Sequence, residues 1–388
     1  MASEMKVRPF TIHVPDQTLE DLRERLARTR WPDEIAGAGW DYGSNLDYLK
    51  ELIEHWQTDF DWREHERAIN SLPQFRADVE GLGIHFIHER GRGPSPLPLI
   101  ITHGWPSSFI EMLKIIPMLA DPASYDADPA DCFDVVVPSM PGYGFSDRPS
   151  QRGMTSLRIS EMWAELMTDG LGYCRFGAQG GDIGAGVATS LALTRPEMTI
   201  GIHITSVPEG YLREEARELS PREHAFLEEY RRWSEEEAAY SSIQATRPQT
   251  LSYGLNDSPA GMAAWIIEKF RSWSDCDGEL DRRFTKDELL VNLTIYWVTE
   301  TINSSMRHYY ESRRSPEPFK LERRVNAPSG FAIFPRDIYL PPREWAERIY
   351  NVCRWTEMPR GGHFAAWEEP ELLVKEIRAF FRPLRQSE

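Results

Sequence analysis

Cysteine is scarce in this sequence. Cys132, Cys174, Cys276 and Cys353 are the four in 388 residues, and no two of them form a Cys-x-x-Cys pair. This scatter excludes the spacing of a zinc site and the dense pairing of a disulfide-stapled secreted protein. We therefore expect reduced thiols in a cytoplasmic protein, and no bound metal ion.

Long hydrophobic runs and an excess of positive charge are also missing. No stretch reaches the ~18 to 20 apolar residues of a membrane span, and residues 1–10 lack the apolar core of a signal peptide. The formal net charge is -17, because 61 acidic residues outnumber 44 basic ones. Nucleic acids and anionic membranes bind to basic surfaces, so this balance argues against both partners.

The order of predicted elements indicates an α/β fold. From residue 75 onward, short β-type runs alternate with helical stretches, which is typical of a mostly parallel sheet covered on both faces. The predicted strands span residues 10–14, 75–79, 84–88, 97–102, 134–138, 173–179, 201–207, 330–335 and 353–358. Helical stretches are predicted at residues 109–119, 159–171, 185–193 and 370–381.

We divide the chain into four segments. Residues 1–72 form an N-terminal arm, residues 73–207 the first part of the α/β core, residues 208–323 a helical lid, and residues 324–388 the second part of the core. The lid is inferred because strands stop there and the chain becomes helical, charged and aromatic.

Two amphipathic helices are predicted in the arm. Leu19, Leu22 and Leu26 form one apolar stripe, and either Asp16 or Thr18 is the expected N-cap. Ser44 is the expected N-cap of a second helix. Because the arm is too thin to bury its own stripes, we expect it to wrap around the main domain.

A glycine-rich turn with a carboxylate at its tip is the most informative local feature. Asp182 lies in Gly180-Gly181-Asp182-Ile183-Gly184, between a predicted buried strand and a predicted helix. This is the geometry of a nucleophile elbow, in which small neighbours allow a strained turn. A carboxylate alkylated at saturated carbon becomes an ester that water can still cleave, so the turn suggests attack on an epoxide or an alkyl halide. The alternative is that Asp182 only caps the following helix.

Two more polar residues follow later strands in the order nucleophile, acid, histidine. Asp337 comes just after the strand at 330–335, and His363 follows the strand at 353–358. This is the order of a triad in an α/β-hydrolase fold. The turn at His103-Gly104-Trp105-Pro106 follows another strand. It can aim the Trp105 N–H into the same crevice as the Ile183 N–H, which gives two donors for an oxyanion.

Several motifs together resemble those of epoxide hydrolases of the α/β-hydrolase fold. The motifs are His103-Gly104-Trp105-Pro106, Gly142-Tyr143-Gly144-Phe145-Ser146 and Gly180-Gly181-Asp182-Ile183-Gly184, and the LNDSP and RGGHFAAWEEPELL stretches are similar to the microsomal-type branch. The likeness covers nearly the whole chain, including the arm. The sequence lacks the membrane anchor of vertebrate microsomal members and has Asp337 where they have Glu.

The resemblance implies specific roles and partners. Tyr240 and Tyr309 match the two lid tyrosines that protonate the epoxide oxygen, with Tyr310 left as an alternative to Tyr309. His103, Gly104 and Pro106 would lie on the substrate side of their turn. Asp182 would be the nucleophile, His363 the general base and Asp337 its orienting acid, with no cofactor. An epoxide and water would be the reactants, and a homodimer is also implied.

Two other interpretations fit parts of this pattern. A dehalogenase would share the Asp nucleophile and would use halide donors such as Trp265 and Trp273. A non-catalytic ligand-binding homologue would be expected to lack a triad member, and none is missing. The substrate is expected to be an aryl or vinyl epoxide, either foreign or from natural-product biosynthesis, with Trp233, Tyr253 and Trp297 as candidate aromatic walls.

Overall fold

The structure is a computed structural model that describes residues 5–207, 219–315 and 324–386. Both predicted lid boundaries, at residues 208 and 323, lie outside the described residues. The strands in the described part are β1 (Val7–Pro9), β2 (Gln74–Val79), β3 (Leu82–Glu89), β4 (Leu97–Thr102), β5 (Phe133–Pro138), β6 (Phe176–Gly180), β7 (Thr199–Ile204), β8 (Val325–Ile333) and β9 (Tyr350–Glu357).

Helices precede, separate and cover these strands. The helices are α1 (Asp16–Ala27), α2 (Leu46–Thr58), α3 (Trp62–Asn70), α4 (Ile115–Ala120), α5 (Ser156–Glu165), α6 (Asp182–Thr194), α7 (Pro221–Glu236), α8 (Ala239–Gln244), α9 (Pro248–Leu255), α10 (Pro259–Trp273), α11 (Lys286–Val298), α12 (Ile302–Arg314), α13 (Arg343–Glu347), α14 (Ala365–Glu368) and α15 (Pro370–Phe381). None of the helices described is both long and apolar enough to cross a membrane.

The nine described strands form one sheet in the order β1-β2-β3-β5-β4-β6-β7-β8-β9. Pairing is antiparallel from β1 through β3 to β5 and parallel from β5 to β9. Helices cover the sheet, so the predicted α/β fold is confirmed. The carboxyl ends of β4, β6, β8 and β9 share one edge of the sheet, because these strands are parallel.

The start of the arm differs from the sequence prediction. Residues 10–14 were expected to form a strand, but β1 is the earlier segment Val7–Pro9. Ile12 and Val14 are buried, yet their N–H groups donate to the side chains of Asn70 at 2.9 Å and Glu66 at 2.7 Å. Side chains of α3 therefore satisfy this backbone in place of a neighbouring strand.

The predicted helix caps of the arm were also wrong. Asp16 is the first residue of α1, Thr18 lies inside the helix, and neither side chain caps it. Asn45 caps α2 by accepting the Tyr48 N–H at 2.9 Å. The Ser44 hydroxyl instead donates to the Ala264 carbonyl of α10 at 2.6 Å, so it ties the arm to another part of the chain.

Other boundaries moved by a few residues. The strand predicted at 173–179 begins later, because Tyr173 lies before β6. The Tyr173 hydroxyl donates to Asp134 Oδ2 at 2.6 Å. The predicted helix at 109–119 splits into a short 3-10 turn, Phe109–Met112, and α4. Strand β8 begins five residues earlier than predicted, at Val325. Weak apolar periodicity at these ends explains the shifts.

Candidate active site

Asp182 lies on a strained turn between β6 and α6. Its φ angle is 47°, in the left-handed region that L residues rarely adopt. A Cβ atom on Gly184 would lie 2.0 Å from the Thr102 carbonyl oxygen, so the helix can approach β4 only because this residue is glycine. Small residues around Asp182 therefore allow the elbow that the sequence predicted.

The Asp182 carboxylate does not cap its own helix. The N-cap of α6 is Gly181, and no side chain bonds there. Asp182 Oδ1 instead accepts the Trp105 N–H at 2.9 Å. A Cβ atom on Gly104 would lie 2.5 Å from the same oxygen, so only glycine at that position leaves room for the carboxylate.

His363 lies between two carboxylates. Its Nδ1 is 2.6 Å from Asp337 Oδ1, and its Nε2 is 3.7 Å from Asp182 Oδ2. Asp337 Oδ1 also accepts the Ile338 N–H at 2.7 Å, which fixes the carboxylate. The three residues that the sequence placed in triad order therefore come together at the carboxyl edge of the sheet.

The pKa values of this group follow from burial and mutual charge. Burial by itself would lower the pKa of the His363 imidazole, but Asp337, Asp182 and Glu111 raise it to about 9. Burial raises the pKa of Asp182, while His363 and the N–H groups of Trp105 and Ile183 act in the opposite direction. The raised pKa of His363 favours a protonated imidazole, and this charge with the two N–H groups stabilises the ionised form of Asp182 against the effect of burial.

The loop after β4 brings its backbone toward Asp182, while the His103 side chain points into the core. His103 is fully buried, its Nδ1 lies 3.1 Å from the Gly104 carbonyl, and its Nε2 accepts the Met140 N–H at 3.3 Å. The Pro106 carbonyl accepts from Asn292 at 2.8 Å. His103 and Pro106 thus support the turn, and their predicted contact with substrate stays a prediction.

Four aromatic rings stand beside Asp182. The Trp105 ring stacks on Tyr240 with centroids 5.3 Å apart, and the Tyr309 ring lies edge-on at 6.0 Å from both. Trp273 adds a fourth ring, 5.0 Å from Tyr240 and 5.2 Å from His363. The two predicted lid tyrosines and the Trp105 loop therefore lie together.

Tyr309 and its neighbour Tyr310 point in different directions. The Tyr309 hydroxyl is buried, and Tyr240 lies within hydrogen-bonding reach of it. Burial, with Tyr240 and Asp182 nearby, holds the pKa of Tyr309 well above the ordinary value for tyrosine. Tyr310 lies under the Arg314 guanidinium, 3.6 Å from its ring centroid, and lines a separate cleft of about 430 Å³. The geometry therefore favours Tyr309 over Tyr310.

The other aromatic residues singled out in the sequence lie elsewhere. Tyr253 is 74% exposed, and Trp297 packs under the Arg25 guanidinium. Trp233 packs against Tyr230 and Tyr339. The Trp265 indole N–H donates to Gln244 Oε1 at 3.2 Å, so one of the two predicted halide donors is already engaged.

Glu368 is an important residue near His363 that the sequence analysis missed. Its carboxylate accepts the N–H groups of Gly362 at 3.1 Å and Phe364 at 3.0 Å, on either side of His363. It also accepts the Asp275 N–H at 2.7 Å. The His363 N–H donates to the Trp273 carbonyl at 2.8 Å. The RGGHFAAWEEPELL stretch contains Glu368 but does not indicate its role, because its partners are backbone groups that only the fold brings together.

Glu111 is a second carboxyl group that the sequence analysis missed, and it lies against Ser107 in the loop that contains Trp105. It is buried and accepts a short hydrogen bond from the Ser107 hydroxyl, which also contacts the Gly104 carbonyl at 3.2 Å. Burial raises the pKa of Glu111 to about 7, although Ser107 and His363 act against it. Glu111 therefore contributes to the field around His363 without lying in the predicted triad.

A nucleophile elbow, an adjacent histidine–carboxylate pair and a mostly parallel sheet define the α/β-hydrolase class. Two family models match the sequence: "Epoxide hydrolase N terminus" over residues 7–112 and "alpha/beta hydrolase fold" over residues 98–247. Epoxide hydrolase 1 of Oryctolagus cuniculus is 38% identical over 407 residues, which cover 96% of this chain and 88% of that protein.

Solved structures agree with the family models. The juvenile hormone epoxide hydrolase of Bombyx mori superposes with a TM-score of 0.85 and 30% identity, covering 99% of this chain and 95% of that one. The Aspergillus niger epoxide hydrolase has the same TM-score and 29% identity, covering 99% and 98%. The chain therefore belongs to the epoxide hydrolases of the α/β-hydrolase fold.

Proposed function

We propose that this epoxide hydrolase converts an aryl or vinyl epoxide to a vicinal diol through an ester on Asp182, without a cofactor. The observation that carries the proposal is the asymmetry of the Asp182 carboxylate. Oδ1 accepts the Trp105 N–H, and Oδ2 faces His363 Nε2 at 3.7 Å. One oxygen is held where an oxyanion would form, and the other is left to attack.

In the first step, Asp182 Oδ2 attacks one epoxide carbon and the bond between that carbon and the ring oxygen breaks. The hydroxyl groups of Tyr240 and Tyr309 hydrogen-bond to the departing oxygen, and one of them transfers a proton to it. The product of this step is a hydroxyalkyl ester, which is neutral where Asp182 was negative. The imidazolium of His363 then returns a proton to the tyrosinate through solvent.

In the second step, neutral His363 accepts a proton from water, whose oxygen attacks the ester carbonyl carbon. The N–H groups of Trp105 and Ile183 hold the resulting oxyanion. The diol leaves with the former Oδ2, taking a proton from the imidazolium. The new acid group then gives its proton to His363, which restores the starting charges.

The preference for an aryl or vinyl group is supported by the ring faces around Asp182. Trp105, Tyr240, Trp273 and Tyr309 offer flat, apolar surfaces, and aromatic groups pack well against such surfaces in stacked or edge-on geometry. We place the substrate ring against this cluster, with its epoxide carbon toward Asp182. The relatives named above support the reaction class and leave this preference to experiment.

The proposal is tested by one turnover in 18O-labelled water. Excess enzyme is mixed with styrene oxide, and the Asp182 peptide and the diol are analysed by mass spectrometry. We expect the label in the Asp182 carboxylate and almost none in the diol, because the diol keeps the original Oδ2. Label in the diol and none in the peptide would mean that water attacks the epoxide directly.

The matched control is Asp182→Asn under the same conditions. An amide is a poor nucleophile, so we expect neither diol nor label within the wild-type reaction time. A parallel reaction with 1-chlorohexane measures chloride release. Chloride turnover faster than epoxide turnover would favour the dehalogenase interpretation instead.

A further inference from the structure

A buried lysine lies against the ring of Tyr240. Lys269, on α10, is only 6% exposed, although lysine is almost never buried without partners. Its Nζ lies 5.0 Å from the centroid of the Tyr240 ring and 5.8 Å from that of Trp273. The cation therefore occupies the aromatic cluster beside Asp182, on a helix that supplies none of the predicted catalytic groups.

Two carboxylates accompany the Lys269 cation. Glu268 Oε2 is 2.5 Å from Nζ, and Glu237 Oε2 is at the limit of an ion pair, at 4.0 Å. A surface lysine would gain as much from these carboxylates without losing its hydration. Burial against two ring faces therefore suggests that the cation acts on the rings themselves.

We infer that Lys269 increases the acidity of Tyr240, and so the rate of epoxide opening, by stabilising the tyrosinate that forms in this step. A cation beside a phenol stabilises its anion, and this interaction is strong in a buried site with little water. Lys269 touches neither the epoxide nor the reacting atoms, so it is a positioning residue that acts through Tyr240. The inference rests on the proposed role of Tyr240.

Other groups also face Tyr240. Tyr309 faces it from α12, and Trp105 stacks on it from the loop after β4. Trp273 faces it from α10, and Glu237 precedes its helix. Asp182 opposes ionisation of Tyr309. Among these groups Lys269 supplies the positive charge that favours ionisation of Tyr240.

The test measures the alkylation step by rapid quench and intact-mass analysis, from pH 6 to 10, with excess enzyme over styrene oxide. The alkaline limb is the part of the pH–rate profile in which ionisation of Tyr240 slows alkylation. For Lys269→Met we expect alkylation about tenfold slower at pH 7 and an alkaline limb about one pH unit higher. Hydrolysis of the ester should keep its rate. For Lys269→Arg, which retains a cation over the ring, both values should return toward wild type.

Two further variants keep the inference falsifiable if Lys269→Met is poorly folded. Glu268→Gln removes the counter-charge, so the alkaline limb should move down instead of up. Arg271 lies on the same helix as Lys269, but its guanidinium packs over the Trp40 ring, 4.7 Å from the ring centroid. Arg271→Met should therefore leave the alkaline limb in place. An unmoved limb in both Lys269→Met and Glu268→Gln would overturn the inference.

Failure of the proposed function gives a different pattern. If Tyr240→Phe alkylates at the wild-type rate, Tyr240 is not an acid and the proposed role of Tyr240 fails. If Tyr240→Phe is slow and Lys269→Met alkylates at the wild-type rate with an unmoved limb, only the role of Lys269 is refuted. Equal slowing of alkylation and hydrolysis by Lys269→Met, with an unmoved limb, would show that the lysine is merely structural.

Discussion

The charge on Asp182 couples the two proposed steps at a single residue. In the resting protein, Asp337 and Asp182 both contribute to the raised pKa of His363. Formation of an ester would remove the Asp182 charge, so the pKa of His363 would fall as the intermediate forms. The histidine would thus be protonated as a partner of the nucleophile and would become a base only when a base is needed.

His363→Gln should separate the two steps. We expect alkylation to continue at a reduced rate, because the nucleophile is Asp182, and hydrolysis to fall about 10⁴-fold, a loss on the scale seen when such a pair is disrupted. Each active site would consume one epoxide and release almost no diol. Intact-mass measurement should find protein heavier by one epoxide.

Asp337→Asn provides the comparison for this prediction. Its histidine would lack the fixed carboxylate at Nδ1, so we expect a smaller accumulation of ester than in His363→Gln. Normal diol formation by His363→Gln without any adduct would contradict the proposed base. Adduct formation by Asp182→Asn would contradict the proposed nucleophile.

At the scale of elements, residues 361–364 form a loop whose N–H groups are all held. We call residues 361–364 the histidine loop. The Gly361 N–H donates to Asp275 Oδ2 at 2.9 Å, and the Gly362, His363 and Phe364 N–H groups donate to Glu368 or Trp273. Trp273 ends α10, so a helix before β8 and a loop after β9 are fastened to each other around His363.

Glu368→Gln should loosen the histidine loop. Its Oε2 accepts from both Gly362 and Asp275, and an amide nitrogen cannot accept, so we expect a loss of about 2 to 4 kcal/mol of unfolding free energy in urea. Hydrolysis of the ester should slow more than alkylation, because Nε2 of His363 is no longer held in place. Glu371→Gln, at an exposed position on α15, should change neither quantity by much. Equal slowing of both steps would contradict the positioning role.

The sequence predicted the parts of the site that lie directly after strands. Asp182, Asp337 and His363 follow β6, β8 and β9, and parallel strands bring their carboxyl ends to one edge. Distinguishing Tyr309 from Tyr310 required the rotation of α12, which the sequence pattern did not supply. Glu368 and Lys269 were missed because the groups that give them a role, the Gly362, Phe364 and Asp275 N–H groups and the Tyr240 ring, are brought to them only by the fold.

The same reasoning explains which elements of the fold were predicted poorly. The α/β core follows from apolar runs that repeat along the chain. The arm depends on pairings between distant residues, such as Val14 with Glu66 and Trp56 with Thr294. Helix α3 buries only Trp62, Glu66 and Ile69, so its apolar pattern was too sparse to predict. Local periodicity cannot report contacts of this kind.

At the scale of the whole molecule, buried histidines are expected to set the acid limit of stability. Burial lowers the pKa values of five histidines to between about 3 and about 4. These are His85, His88, His103, His203 and His308. An unfolded histidine takes up a proton near pH 6.5, so below that pH each of them favours unfolding.

Other buried groups act in different pH windows. Burial raises the pKa values of Glu111 and Glu368 to about 7. The stability that these two groups give the folded protein is therefore lost as pH rises from about 4.5 to 7. The raised pKa of His363 makes stability fall from about pH 6.5 to 9. Five histidines outweigh two carboxyl groups on the acid side. We therefore expect a stability maximum near pH 6.5 and a steeper acid limb.

His203 allows this account to be tested at one position. It is fully buried, and neither ring nitrogen has a hydrogen-bond partner within the described part of the chain. For His203→Leu we expect little loss of unfolding free energy at pH 7. The acid limb should be shallower by one proton, or about 1.4 kcal/mol per pH unit between pH 6 and 4.5. The measurement is urea unfolding across that range at constant ionic strength.

His85→Leu is the matched control, because the ring nitrogens of His85 bond to Ser139 and Gln74. It should flatten the acid limb equally but also lower stability at pH 7. An unchanged acid limb in His203→Leu would mean that this histidine is already protonated in the folded protein, against its lowered pKa.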